Sequence, residues 1–260
     1  MKYIDPDEMD HLPGRRIRSG ERFAFHCGPE LACFNRCCRN LNLFLYPYDA
    51  LRLYRHLGIG SNEFIDRYTD LVLRPGHFFP EVLLRMADNA ECTCPFLQNS
   101  GCGVYAHRPD TCRSFPVEQG EFFDAARELT EPIYLFRPPD FCLGRYESQE
   151  WTIEAWLADQ EAQTYQEMTQ LWAGVRRFFQ NNPWGAEGFA GAKGRMAFMA
   201  AYNLDRFREF VFDSTFLKRY RVNSELVATL RQNDTALLKF GFEWIRFFVW
   251  GIASKIIRPR

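Results

Sequence analysis

All nine cysteines of this 260-residue chain lie between Cys27 and Cys142, and that crowding limits its folding more than any other feature. The stretch CPFLQNSGCGVYAHRPDTCRSFP, from Cys94 to Pro116, sets Cys94, Cys102 and Cys112 among turn-forming and basic residues. An earlier knot, CGPELACFNRCC, supplies Cys27, Cys33, Cys37 and Cys38. The opening segment MKYIDPDEMDHLPGRR lacks the apolar run of a signal peptide, so a cytoplasmic location is expected. In a reducing compartment, clustered cysteines serve metals or catalysis more often than disulfides. The odd count and the vicinal pair Cys37–Cys38 also fit a disulfide framework poorly. Thiolates at this density therefore predict bound metal.

The spacing bears on which metal. Successive cysteines are separated by five, three, no, fifty-three, one, seven, nine and twenty-nine residues, so no CxxC occurs. Zinc ribbons and fingers usually grip their ion with such knuckles. Adjacent cysteines reach one small ion with difficulty, whereas the separate iron corners of a cluster can be ligated from distant loops. The expectation is an iron–sulfur cluster, 4Fe–4S in type, with zinc as the alternative.

The rest of the chain reads as scaffold. Residues 1–22 look like an irregular arm with Pro6 and Pro13, and residues 23–147 like the cysteine-cluster domain. Residues 148–260 look like a helical cap. Phe23–Phe25 and Leu43–Leu45 look extended. Pro47 to Gly58 has helical spacing, and Ser61 is placed as the N-cap of a second helix. Strands are expected at 78–86 and 132–136, with Cys142 in a turn between them and the cap. One long helix is expected over 152–181, shorter ones over 195–203, 205–213, 215–221 and 224–231, and a last one from Thr235 to Ile257 capped by Asp234. The fold class is mainly α, with an irregular cysteine-rich metal-binding half that contains a few short strands. Gly185 to Gly194 matches neither a P-loop nor GxGxxG and reads as a connection.

The formal net charge of −1 argues against nucleic acid as a partner. The last helix is very apolar, but Lys239, Glu243 and Arg246 recur on one face. It reads as amphipathic, not as a transmembrane span, and leaves room for a peripheral membrane contact.

The cysteine blocks resemble the YkgJ-like cysteine-cluster family, a zinc- or iron-chelating domain with the signature CxxCxxCC. The first block is carried by Phe25, Cys27, Cys33, Cys37, Cys38 and Pro47-Tyr48-Asp49. The second is carried by Cys94-Pro-Phe-Leu97, Cys102, Val104-Tyr105, Arg108-Pro109, Cys112-Arg113 and Phe115-Pro116, followed by Cys142 and Gly144. The first knot is wider than the signature and is similar in that respect to flagellin lysine-N-methylases. The resemblance implies eight metal ligands, Cys27, Cys33, Cys37, Cys38, Cys94, Cys102, Cys112 and Cys142, and leaves Cys92 outside the pattern. Arg108 and Arg113 flank Cys112 and can either offset thiolate charge at a cofactor or hold backbone. His26 and His107 read as ordinary histidines beside the cysteines, and Asp159 and Gln160 as residues on the solvated face of the long helix.

Three functions follow as expectations. The first is an iron–sulfur protein in electron transfer or protein modification, with an unidentified protein partner or electron donor. The second is a non-enzymatic module with a structural zinc or iron–sulfur site and a partner-binding helical half. The third is a methyltransferase-like protein, which the absence of a glycine-rich nucleotide fingerprint disfavours.

Overall fold

Aromatic burial sets the architecture. In a computed structural model, which describes residues 2–4, 12–124 and 129–260, contacts divide the chain into two units. One comprises 1–41 and 86–166, the other 42–85 and 167–260. All nine cysteines fall in the first. Residues 42–85 lie between the cysteine blocks in sequence, yet they group with 167–260. Helix is about three times as abundant as strand, 47% against 15%, and the strands form several small sheets, so the mainly α fold class holds.

The first unit contains a four-stranded sheet. Its centre is the antiparallel hairpin Val117–Asp124 and Leu129–Phe136, in register from Val117 opposite Phe136 to Asp124 opposite Leu129. Lys2–Ile4 joins one side in parallel and Arg15–Ile17 the other side antiparallel. The lead-in is thus not wholly irregular, because its strands cover hairpin edges that would otherwise leave ladder groups unpaired. Pro6 lies outside the described residues. The strand expected over 132–136 is part of Leu129–Phe136, but its partner Val117–Asp124 escapes the sequence reading, because Glu118, Gln119, Gly120 and Glu121 interrupt any apolar alternation.

Phe23–Ala24 pairs with Glu150–Trp151, and Phe23, Phe25, Trp156 and Leu157 form a core with Val117 and Cys142. The Phe25 and Trp156 rings meet edge to face at 5.5 Å. Two indoles fix the neighbouring segments: Trp151 Nε1 donates to the Phe25 carbonyl at 2.8 Å, and Trp156 Nε1 to the Ser114 carbonyl at 2.9 Å.

The single helix expected over 152–181 is instead Ile153–Asp159, Gln163–Arg176 and a 3₁₀ turn at Arg177–Gln180. Thr152 caps the first piece as an acceptor for the Ala155 N–H. The break after it is a Schellman closure. Ala162 N–H donates to Leu157 O and Glu161 N–H to Ala158 O, with Glu161 at φ +51°. Glycine usually marks such a stop; a glutamate leaves no signal.

In the second unit Glu81–Leu84 is the middle strand of an antiparallel sheet, between Phe44–Leu45 and Thr69–Val72. Pro47 opens the helix Pro47–Leu57 and Gly58 closes it at φ +66°, as expected. Ser61 does not cap the next helix, Ser61–Tyr68: it is the first helical residue. Its N–H donates to Asp205 and its hydroxyl to Asn203.

The last helix is Asp234–Trp250, capped by Asn233, whose side chain accepts the Ala236 N–H, and stopped by Gly251 at φ +66°. Asp234 instead holds Arg55 at 2.7 Å and also pairs with Arg208. Lys239, Glu243 and Arg246 are half-exposed, while Leu237, Phe240, Trp244 and Ile245 are buried. Among the described residues no helix is long and apolar enough to cross a membrane. The helix expected over 215–221 stops at Arg219, because Tyr220–Arg221 becomes a strand paired with Arg258–Pro259.

Gly241 shows how closely the last helix meets Ala192–Tyr202: a Cβ there would sit 2.3 Å from the Ala200 carbonyl oxygen. Backbone cannot yield as a side-chain tip can. Gly241→Ala should therefore cost about 1–3 kcal/mol and lower Tm by several degrees in a far-ultraviolet melt. A wild-type melt would contradict this contact.

Candidate metal centre

The first knot is a run of tight turns. Leu31 N–H donates to Gly28 O, Phe34 to Leu31, Arg36 to Cys33 and Cys38 to Asn35. Asn35 and Asn40 take positive φ, 64° and 51°, which asparagine tolerates better than most residues. The coil gathers Cys33, Cys37 and Cys38 within a few residues, and it is pinned at Asn40. There Asn40 N–H donates to Cys92 O, and Cys94 N–H to Cys38 O, about the bridge of Arg39 with Thr93. In that register Cys38 stands opposite Cys94, which joins the two blocks.

The second block folds as the hairpin Leu97–Gln98 and Gly101–Cys102, a 3₁₀ turn at Tyr105–His107 and the short helix Asp110–Ser114 that carries Cys112. Gly101 turns the hairpin at φ +125°. Cys142 follows in the expected turn, its N–H donating to Pro139 O. Gly144 packs this turn onto the first knot. His26 N–H donates to its carbonyl at 3.2 Å, and a Cβ on Gly144 would lie 2.2 Å from the His26 oxygen.

Backbone amides are aimed at sulfur. Leu143 N–H donates to Cys33 Sγ at 3.2 Å. The Phe96 and Leu97 amides also act on the Cys94 thiol, the Val104 amide on Cys102, and the Gly144 and Arg145 amides on Cys142, each pulling the thiol pKa down. Such donors favour the thiolate, the form that binds metal.

Desolvation acts the other way and wins. It raises the Cys94, Cys102 and Cys142 thiols and, with the fields of Cys37, Cys142 and Cys33, pushes Cys27 up to about 11. Cys37 is raised furthest, first by its hydrogen bond with Cys38 and then by burial. Cys37 is also the common electrostatic neighbour of Cys27, Cys94, Cys102 and Cys142.

Mutually repelling thiols that receive amide donors suit a soft cation able to displace their protons, so the donor chemistry fits a thiolate-bound metal. Among the described residues, however, no three His, Cys, Asp or Glu side chains form a group able to hold one ion. A cavity of about 660 Å³ lies in the second unit, lined by Phe189, Phe198, Met199 and Phe210 among others, and none of its lining residues is a cysteine.

Arg108 and Arg113 are both buried and both hold backbone. Arg113 donates to the Gln160 and Ala106 carbonyls at 2.6 and 2.7 Å and lies over the Tyr165 ring. Arg108 donates to Tyr105 O and Gln160 Oε1, both at 2.7 Å, and it also interacts electrostatically with Cys102 and Cys112. Burial lowers its pKa. Gln160, expected on a solvated helix face, is instead the partner shared by both arginines. The two ring nitrogens of His26 are engaged by Gln149 and Glu30. Cys92 is exposed, in a turn at φ +46°. The amides that serve the sulfurs have no side-chain signature and were missed by sequence reasoning, although the short C-P-F-L, C-x-V and C-x-G segments that present them are visible.

Site and fold together define a thiol-rich unit whose donor chemistry suits a metal. Residues 26–130 match the CxxCxxCC family model, described as "Putative zinc- or iron-chelating domain", in keeping with the resemblance of the cysteine blocks. No curated protein and no solved structure matches the chain.

Two outcomes follow. Raised thiol pKa values keep the metal-free thiols protonated near neutrality, so metal must expel protons. Zinc added to reduced protein at about pH 7.5 should release protons, and apparent affinity should climb with pH. Uptake without proton release in a weakly buffered titration would contradict this. Separately, Cys92→Ser should leave metal content near wild type, while Cys94→Ser and Cys142→Ser should lower it. Parallel metal analysis of the three variants is the check.

Proposed function

We propose that Cys27, Cys33, Cys37, Cys38, Cys94, Cys102, Cys112 and Cys142 supply the thiolates for iron–sulfur chemistry, 4Fe–4S in type, as two four-cysteine sites or as one cluster with spare thiols, and that the protein acts in electron transfer or in the modification of another protein. The observation that carries this reading is the set of amide donors to Cys33, Cys94, Cys102 and Cys142. Hydrogen bonds to sulfur tune the potential of such clusters.

A cluster, when bound, supplies one-electron exchange. The chain's own parts have separate tasks. Amides from the 94–97, 102–104 and 142–145 turns orient sulfur and hold its negative charge. Gly144 seats the Cys142 turn on the first knot, and buried Arg108 places a positive charge beside Cys102 and Cys112. The core of Phe23, Phe25, Val117 and Trp156 around Cys142 limits water on that side.

Protein purified without oxygen, after expression with adequate iron and cluster supply, should be brown and contain iron and acid-labile sulfide in comparable amounts. The colour should bleach reversibly on reduction. Colourless protein with stoichiometric zinc and no sulfide would replace this reading with the structural-zinc alternative.

A further inference from the structure

A second feature, in the other contact unit, is independent of the metal centre. Tyr220–Arg221 and Arg258–Pro259 form an antiparallel ribbon in which Tyr220 pairs with Pro259 and Arg221 with Arg258. Arg260 N–H extends it by donating to Arg219 O at 2.9 Å. Side chains alternate along strands, so Tyr220 and Pro259 share one face and Arg221 and Arg258 the other. Tyr220 marks the inward face, since its ring lies 5.1 Å from those of Phe216 and Trp244 and 5.8 Å from that of Phe247.

Arg221 and Arg258 therefore stand opposite each other on the outward face, and Arg219 and Arg260 extend the ribbon together at one end. All four are exposed, as are nearby Lys218 and Lys255. None of these six cations has an ion pair among the described residues. This contrasts with Arg55, Arg85 and Arg208, each of which faces a carboxylate. Like charges directly opposite on a sheet are destabilising, so this surface lacks its counter-charge.

We infer that this ribbon docks on an anionic lipid bilayer. Guanidinium groups match phosphate oxygens in bidentate geometry, and clustered Arg and Lys are drawn to acidic headgroups. Ile256 favours lipid over nucleic acid. It is 37% exposed between Lys255 and the ribbon, whereas the next residue, Ile257, is 1% exposed and anchors the segment. An exposed aliphatic side chain among cations suits the headgroup–acyl boundary. Single-stranded nucleic acid is instead gripped by outward aromatic rings, and the ribbon's single ring, Tyr220, faces inward. The net charge of −1 conceals the patch because it sums 32 basic and 33 acidic residues over the whole chain.

The test uses the intact protein and co-sedimentation with vesicles of phosphatidylcholine alone or with about one-third phosphatidylserine. Binding should require the anionic lipid and should fall between about 0.1 M and 0.5 M salt. Arg221→Gln and Arg258→Gln should each weaken it about fivefold, and the double variant roughly 25-fold. Replacing both arginines by lysine should retain most of the binding, which separates loss of charge from loss of fold. Ile256→Ser should weaken binding and leave its salt dependence unchanged. Equal sedimentation with neutral vesicles, indifference to the glutamine pair, or tighter binding of a single-stranded oligonucleotide than of the anionic vesicles would overturn the inference.

Discussion

The buried guanidinium of Arg113 is the contact on which the cysteine-bearing unit most depends. Its residue is 1% exposed, so its charge is withdrawn from water at a cost of several kcal/mol unless hydrogen bonds replace the solvent. Ala106 O and Gln160 O supply two of those bonds and the Tyr165 ring a face, while Nε has no acceptor. Three separated segments are tied by one side chain: the turn after Cys102, the helix that carries Cys112, and the closure after Ile153–Asp159. In an unbroken helix the Gln160 carbonyl would accept the Thr164 amide; here it serves Arg113. The broken helix and the seating of the second cysteine block are two results of the same contact.

Around that tie the thiols are held against their own preference. Burial and mutual repulsion favour the protonated forms of Cys27, Cys37, Cys94, Cys102 and Cys142, while the amides of the tight turns favour thiolates. A cation would relieve both conflicts at once, because it neutralises the repulsion and uses the anionic form that the amides already favour. Backbone donors cost no side-chain entropy to orient, and they explain why short turns present these cysteines in place of long regular elements.

The second unit works differently. Its charged residues are mostly neutralised in place: Asp234 receives both Arg55 and Arg208, Asp205 takes Arg55 and the Ser61 amide, and Glu81 sits between Arg74 and Arg176. Its apolar mass is packed aromatic side chains, with Trp244 meeting Phe216, Tyr220 and Phe248 at 5.0–5.1 Å. Against that background the exposed arginine ribbon stands out as a surface where like charges face each other across paired strands.

The sequence by itself determined the chemistry. Nine cysteines without CxxC, the CPFL and RPxxCR block, Pro47 and Gly58 bounding a helix, and Gly144 after Cys142 all carry local or compositional signals, and these features appear where they were read. Tertiary structure alone decided what depends on partners distant in sequence. Residues 2–4 and 15–17 become strands because hairpin edges need ladder partners. Glu161 adopts a left-handed conformation where no glycine announces the stop. Gln160 turns from solvent to two arginines, and residues 42–85 leave the cysteine blocks that flank them in sequence. Tyr220–Arg221 leaves the helical pattern to pair with Arg258–Pro259, which places two arginines opposite each other across 36 intervening residues. Local propensity is worth tenths of a kcal/mol to about one per residue, whereas burying a charge or closing a sheet edge involves several, so the long-range terms prevail where the two conflict.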